Sequence, residues 1–174
     1  MFPPLVETDT RSDMTPHAAI GSGLIVLAAA SGLVGCAGRQ PRPVVLPPGG
    51  TLNGAAVART AESVLGAPYR AGGTRPDGFD CSGLVSYVFA RQGVGVPRDV
   101  KGQAGVGRAV SRAALREGDL LFFTTTGPGA THVAIAIDRD RFVHAPTRGA
   151  VVRVESLRSA YWADRFLFGR RLTY

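Results

Sequence analysis

A change of apolar period near residue 118 constrains this 174-residue chain more than any other feature. Upstream of it the pattern is helical. Asn53 is placed to cap a helix whose apolar positions Val57, Ala61, Val64 and Leu65 follow helical spacing, with Gly66 as its stop. A second helix starts at Asp80-Cys81, carries Leu84, Val85, Val88 and Phe89 as its apolar face and ends at Gly93; a short helical stretch surrounds Gln103. After Glu117-Gly118-Asp119 the spacing is that of strands: 120–123, 132–137, 142–144, 151–154 and 166–172. Asp138-Arg139-Asp140 reads as a turn that pairs the strands ending in His132 and His144 as a hairpin. Helices first and antiparallel strands after specify an α+β fold rather than a doubly wound one.

The helix start at Cys81 is a place for thiol chemistry. Unpaired N–H groups and the positive end of the helix dipole favour the thiolate, which is the nucleophilic form. The chain holds three histidines, of which His132 and His144 follow in strand-like surroundings. Along its strand His132 alternates with Val133 and shares a face with Ala134 and Ala136, which leaves room for a partner group. Hairpin pairing then brings His144 within a rung or two of it. Cysteine, base and a third polar group are thus available in one domain, provided that the cysteine helix packs across the sheet. Tyr69 sits on a Pro- and Gly-rich loop that leads into that helix.

The composition excludes a disordered chain: 45% of residues are hydrophobic and 19% charged. Residues 18–37 form an uncharged run with an apolar centre and small residues at its end, the make-up of a secretion signal. Gly38 to Gly50 is rich in proline and glycine and reads as a tether. The expected organisation is a signal at 1–35, an anchored N-terminus and tether at 36–50, and one domain at 51–174. The chain's net charge is +7; the first 35 residues hold one Arg against three acids, so the remainder carries +9. That charge suits an anionic partner such as membrane head groups or acidic wall polymer. Nucleic acid is not expected, since no Arg or Lys cluster interleaved with aromatics appears. No phosphate loop or dinucleotide fingerprint appears either, and no cofactor is called for.

Pro68-Tyr69, Gly72-Gly73, Phe79-Asp80-Cys81-Ser82-Gly83-Leu84-Val85, Pro97-Arg98, Gln103, Gly118-Asp119-Leu120, His132-Val133, Phe142-Val143-His144-Ala145 and Arg170-Arg171-Leu172 occur in this order. Together they resemble the NlpC-type cell-wall endopeptidases. The resemblance implies a compact papain-like α+β fold and hydrolysis of a peptide bond in peptidoglycan stems, commonly between the γ-carboxyl of D-glutamate and a diamino acid. It implies that Cys81 is the nucleophile, that His132 is the base and later the acid, and that His144 orients His132. By the same resemblance Asp80 and Ser82 line the site and hold a free stem-peptide amine, and Tyr69 flanks the scissile bond. Ala71 departs from the pattern, standing where the family usually carries a tryptophan. Leu33-Val34-Gly35-Cys36 resembles the bacterial lipoprotein signal, which implies lipid on Cys36, a periplasmic location and, with Ala37 following, the outer membrane.

Several alternatives stay open on the residues alone. Against lipid on Cys36 stand an uncleaved anchor, a chance cysteine, and a Cys36–Cys81 disulfide that would abolish the nucleophile. Cys81, His132 and His144 are three potential zinc ligands, though without paired ligand spacing. A non-catalytic lipoprotein that binds wall peptide, and a thiol hydrolase or transferase for another amide or ester, are the competing functions. An endopeptidase loose in the wall is hazardous, so a regulatory partner is also expected.

Overall fold

The computed structural model describes residues 52–172. Asn53 does cap the first helix: its side chain accepts the Ala56 N–H at 3.1 Å, and α1 runs Gly54–Glu62. Val57, Ala58 and Ala61 are its buried face. Contrary to expectation, Leu65 is not part of that face and stands 44% exposed. The helix gives way after Glu62 to turns in which Val64 and Leu65 bond the carbonyls of Ala61 and Glu62, and this rotates Leu65 outward. Gly66 then takes φ +85°, a left-handed value that favours glycine.

The antiparallel ribbon β1 (Thr74–Arg75) and β2 (Gly78–Phe79) leads into α2 (Cys81–Ala90). Then come α3 (Val100–Ala104), β3 (Arg108–Val110), β4 (Leu120–Phe123), β5 (His132–Ala136), β6 (Arg141–His144), β7 (Arg153–Ser156), α4 (Ala160–Arg165) and β8 (Phe166–Arg171). The last six strands make one antiparallel sheet in the order β3-β8-β4-β5-β6-β7. The strand expected at 151–154 begins instead at Arg153. Val152 is already engaged elsewhere, donating to Ala67 and accepting from Gly66 in the loop after α1.

Both faces of the central strands are covered, so the sheet's alternation sorts two cores rather than a core and a solvent face. Leu120, Phe122, Val133, Ile135 and Val143 pack under α1 and α2. Leu121, Phe123, Ala134, Ala136 and Phe142 pack with Trp162 of α4 on the other side. A buried ion pair pins the ends of this arrangement. Arg171 on β8 donates through Nε and Nη2 to Asp119 at 2.6 and 2.7 Å, and Nη2 also reaches the Ala114 carbonyl at 2.8 Å. The Arg116 N–H adds a further donor to Asp119 at 2.9 Å.

Candidate active site

The start of α2 is over-determined. The Asp80 side chain caps the helix by accepting the Gly83 N–H at 2.7 Å and takes the Gly72 N–H at 2.9 Å. The Asp80 N–H in turn donates to the Gly73 carbonyl. That carbonyl lies so close to Gly83 that any Cβ there would collide with it. Gln103 on α3 clamps the same turn from behind: its buried amide donates to the carbonyls of Ser82 at 3.0 Å and Pro97 at 2.7 Å. Cys81 is thereby fixed in the first turn of α2 as a free thiol.

The packing of α2 on β5 sets the Cys81 sulfur against the start of the strand that carries His132, and the β5–β6 pairing brings the two histidines together. The backbone N–H of Val133, the residue after His132, faces the Cys81 sulfur. His132 Nε2 lies 2.9 Å from His144 Nδ1. Register explains the pairing: Ile135 sits opposite Val143 and Ala136 opposite Phe142, so His144 falls opposite Ala134, on the same face as His132 and two residues from it. Their rings are perpendicular, with centroids 5.1 Å apart. Because Nε2 of His132 is taken by His144, Nδ1 is its remaining ring nitrogen.

Burial sets the charge states. It lowers His132 to about 4. His144 is lowered to about 3, by burial first, then by the nearby His132 and Arg153 charges. Both imidazoles are therefore neutral at pH 7. The helix-start argument anticipated a favoured thiolate; the structure instead raises the Cys81 thiol. Loss of water around the sulfur and the Asp80 charge outweigh the lowering by the N–H groups of Val133, Ser82 and Cys81. The resting pair is thiol and neutral imidazole.

The other predicted residues surround the sulfur. Tyr69 is held by its N–H to the Ala150 carbonyl and bridges in parallel to Phe79, two residues before Cys81. Its phenol is raised by partial burial, then by the charges of Cys81 and Asp80. Ser82 and Asp80 lie side by side, but the sequence did not disclose their partner. Arg98 donates to both Asp80 oxygens, at 2.9 and 2.7 Å, and to Ser82 Oγ at 2.8 Å. Partial burial raises the Asp80 carboxyl, yet Arg98 and the Gly83 and Gly72 N–H groups hold it below its ordinary range. Cys36 lies outside the described residues. Among the described residues no group of three or more His, Cys, Asp or Glu has the geometry to hold a metal ion.

One element of the site had no sequence signal. Trp162 of α4 stacks on His132 with centroids 5.8 Å apart and stands perpendicular to His144 at 4.9 Å. Phe142 flanks His144 from another side at 5.3 Å. His144 Nε2 is buried among these rings with no hydrogen-bond partner in the described residues.

The chain matches the NlpC/P60 family over residues 66–171. It belongs to that family. Among curated relatives it is 41% identical over 108 residues to the murein DD-endopeptidase MepS/murein LD-carboxypeptidase of Escherichia coli K12, a match covering 62% of this chain and 56% of the relative. It is 36% identical over 120 residues to the gamma-DL-glutamyl hydrolase of Bacillus subtilis, covering 67% of this chain and 29% of that protein. Among solved structures, the NlpC/p60 domain of the peptidoglycan hydrolase SagA superposes with a TM-score of 0.63 at 36% identity, covering 70% of this chain and all of that one. The match to these two curated relatives spans well under two thirds of each. The fold is the α+β, papain-like architecture of NlpC/P60 domains.

Proposed function

We propose that this chain is a cysteine endopeptidase that cuts peptidoglycan stem peptides between the γ-carboxyl of D-glutamate and a diamino acid. The observation that carries this reading is the 2.9 Å contact between His132 and His144 beside a helix-start cysteine. Family membership supports it, as do relatives named as murein endopeptidase and peptidoglycan hydrolase.

The tautomers follow from the surroundings. An N–H is tolerated against aromatic faces better than a bare lone pair, so the proton of His144 belongs on Nε2, among Trp162 and Phe142. Nδ1 of His144 then accepts from His132 Nε2–H, and His132 Nδ1 is left as the base. It takes the Cys81 proton as Sγ attacks the scissile carbonyl carbon. The negative charge moves to the carbonyl oxygen, which faces the Cys81 N–H with Tyr69 as second donor. When the C–N bond breaks, His132 returns its proton to the leaving amine. Water, deprotonated by the same nitrogen, then hydrolyses the thioester and restores the thiol. His144 shares the transient imidazolium without adding a full negative charge.

Incubating wild-type and Cys81→Ala protein with purified muropeptides, read by mass spectrometry, tests this. Cleavage that falls by roughly 10³-fold or more in the variant supports the reading, and the fragment masses name the bond. Intact muropeptides in both samples overturn it in favour of wall-peptide binding. The Leu33-Val34-Gly35-Cys36 stretch supports anchoring of the domain in the periplasm through lipid on Cys36, at the outer membrane. Label from an alkyne fatty acid should then appear in the wild type and vanish in Cys36→Ala.

A further inference from the structure

A neutral His144 is a weak counterpart for an imidazolium on His132. Among the described residues no carboxylate bonds either ring, and the charge that bears on the pair from β7, Arg153, opposes a second positive charge there. Water offers little help, since His132 is 6% exposed and His144 fully buried. What faces the pair is aromatic. The Trp162 ring stacks on His132 with centroids 5.8 Å apart and planes 29° apart, and it stands perpendicular to His144 at 4.9 Å. Both distances fall within the roughly 6 Å over which the negative face of an aromatic ring attracts a cation, and tryptophan has the strongest such face.

The indole is held from every side. Phe123 and Phe142 meet it in the core at 5.0 and 5.2 Å, Tyr161 packs perpendicular to it at 4.9 Å, and the Arg165 guanidinium stacks on Tyr161 at 3.9 Å. Trp162 is only 7% exposed, so water weakens its attraction for a cation little. A ring face also suits a thiol that rests protonated. A carboxylate at this place would favour the imidazolium before the thiol gives up its proton. A ring face attracts more weakly, leaves burial in control of the resting pair and acts once the charge has formed.

We propose that Trp162 is a positioning residue for the thiol chemistry: its ring face holds the His132 imidazole and stabilises the imidazolium formed when Cys81 is deprotonated, in the place of the carboxylate of a Ser-His-Asp triad. In that step the S–H bond breaks, the proton bonds to His132 Nδ1 and the sulfur keeps the electron pair. The proposal rests on the Cys81–His132 pairing of the endopeptidase reading, but the step itself needs no substrate.

Trp162 is the chain's single tryptophan, so fluorotryptophan incorporated during expression alters this ring alone, withdrawing electrons from its face at nearly constant shape. In full-length Cys36→Ala protein Cys81 is the one remaining thiol. Its alkylation rate with iodoacetamide at pH 7 follows the population of thiolate paired with imidazolium, and this rate is the deciding readout. It should fall by about twofold with one fluorine and about fivefold with two; kcat on a soluble muropeptide should follow it while KM stays constant. Trp162→Leu, which fills space without a ring face, should lose about tenfold or more in alkylation rate, and Trp162→Phe should recover most of that loss. An alkylation rate unchanged across the fluorinated series overturns the proposal, whatever Trp162→Leu does to folding, and leaves the hydrolase standing if muropeptides are still cut. If no muropeptide is cut but alkylation still falls with each fluorine, the endopeptidase reading fails and the role of Trp162 stands.

Discussion

Gly83 shows how little freedom the nucleophile's neighbourhood has. A Cβ at that position would meet the Gly73 carbonyl, which already accepts the Asp80 N–H, and would come within 3.0 Å of Asp80 Oδ1. Gly83→Ala must push the 72–73 loop off the start of α2 and loosen the Asp80 cap. We expect a stability loss of roughly 1–3 kcal/mol and a larger loss of activity, at least about tenfold, because the same shift misplaces Sγ. Thermal melts alongside kcat/KM check this, and an alanine variant with wild-type activity refutes the account. The histidines carry a second residue-scale consequence. His132 is lowered to about 4 in the folded protein against about 6.5 unfolded. Between these values the unfolded chain binds a proton that the folded one refuses, so stability falls as pH drops from about 6.5 towards 4. For His132 alone the loss is roughly 3 kcal/mol, and His144, lowered to about 3, acts in the same direction. Denaturation midpoints across pH 4–7 should slope accordingly, and the slope should shrink in His132→Gln. A flat wild-type profile would mean that the imidazoles are not buried neutral.

At the scale of elements, the buried Asp119–Arg171 pair ties the turn before β4 to the end of β8. Asp119→Asn leaves the guanidinium, 10% exposed, without its counter-charge. Breaking one side of such a pair costs roughly 3–5 kcal/mol. Asp119 and Arg171 bond each other, the Arg116 N–H and the Ala114 carbonyl rather than Cys81, His132 or His144, so folded Asp119→Asn protein should retain near-normal kcat while its melting temperature drops. A collapse of kcat in folded protein would overturn that separation. Legibility from sequence divides along the same elements. α1, α2 and the β4–β5–β6 run were readable because caps, apolar period and a turn at Asp138–Asp140 all agreed; Asp138 Oδ1 indeed accepts the N–H groups of Asp140 and Arg141. α4 was not, since Ala160–Arg165 is too short to display a period and its Ser159 cap makes no side-chain bond. Trp162 was lost with it, although it is the ring that touches both histidines. β3 and the β1–β2 ribbon were missed because strands of two or three residues exist only through their partners. The thiol's state was misjudged for a related reason: a helix start is visible in sequence, whereas the desolvation that opposes it arises only once α2 meets β5.

For the molecule as a whole, charge sets how it meets a polymer. Residues 52–172 carry 17 Lys or Arg side chains against 10 Asp or Glu, and most of the acids that the structure places near bases are already paired with them. The surplus is arginine, spread over the domain rather than gathered beside Cys81. Such a field acts over distances set by the Debye length, about 10 Å at 0.1 M salt. It therefore raises the concentration of the enzyme at an extended polyanion much more than it alters contacts with one short peptide. On the proposed function, hydrolysis of insoluble peptidoglycan should fall by about tenfold between 0.05 and 0.5 M salt, while kcat/KM on a soluble muropeptide changes by less than about twofold. Turbidity clearing and chromatographic cleavage, run on one enzyme preparation, measure the two. Equal salt dependence would place the electrostatic contribution in the contacts with the bound peptide rather than in the surface field, and a salt-independent clearing rate would show that the surface arginines play no part in finding the wall.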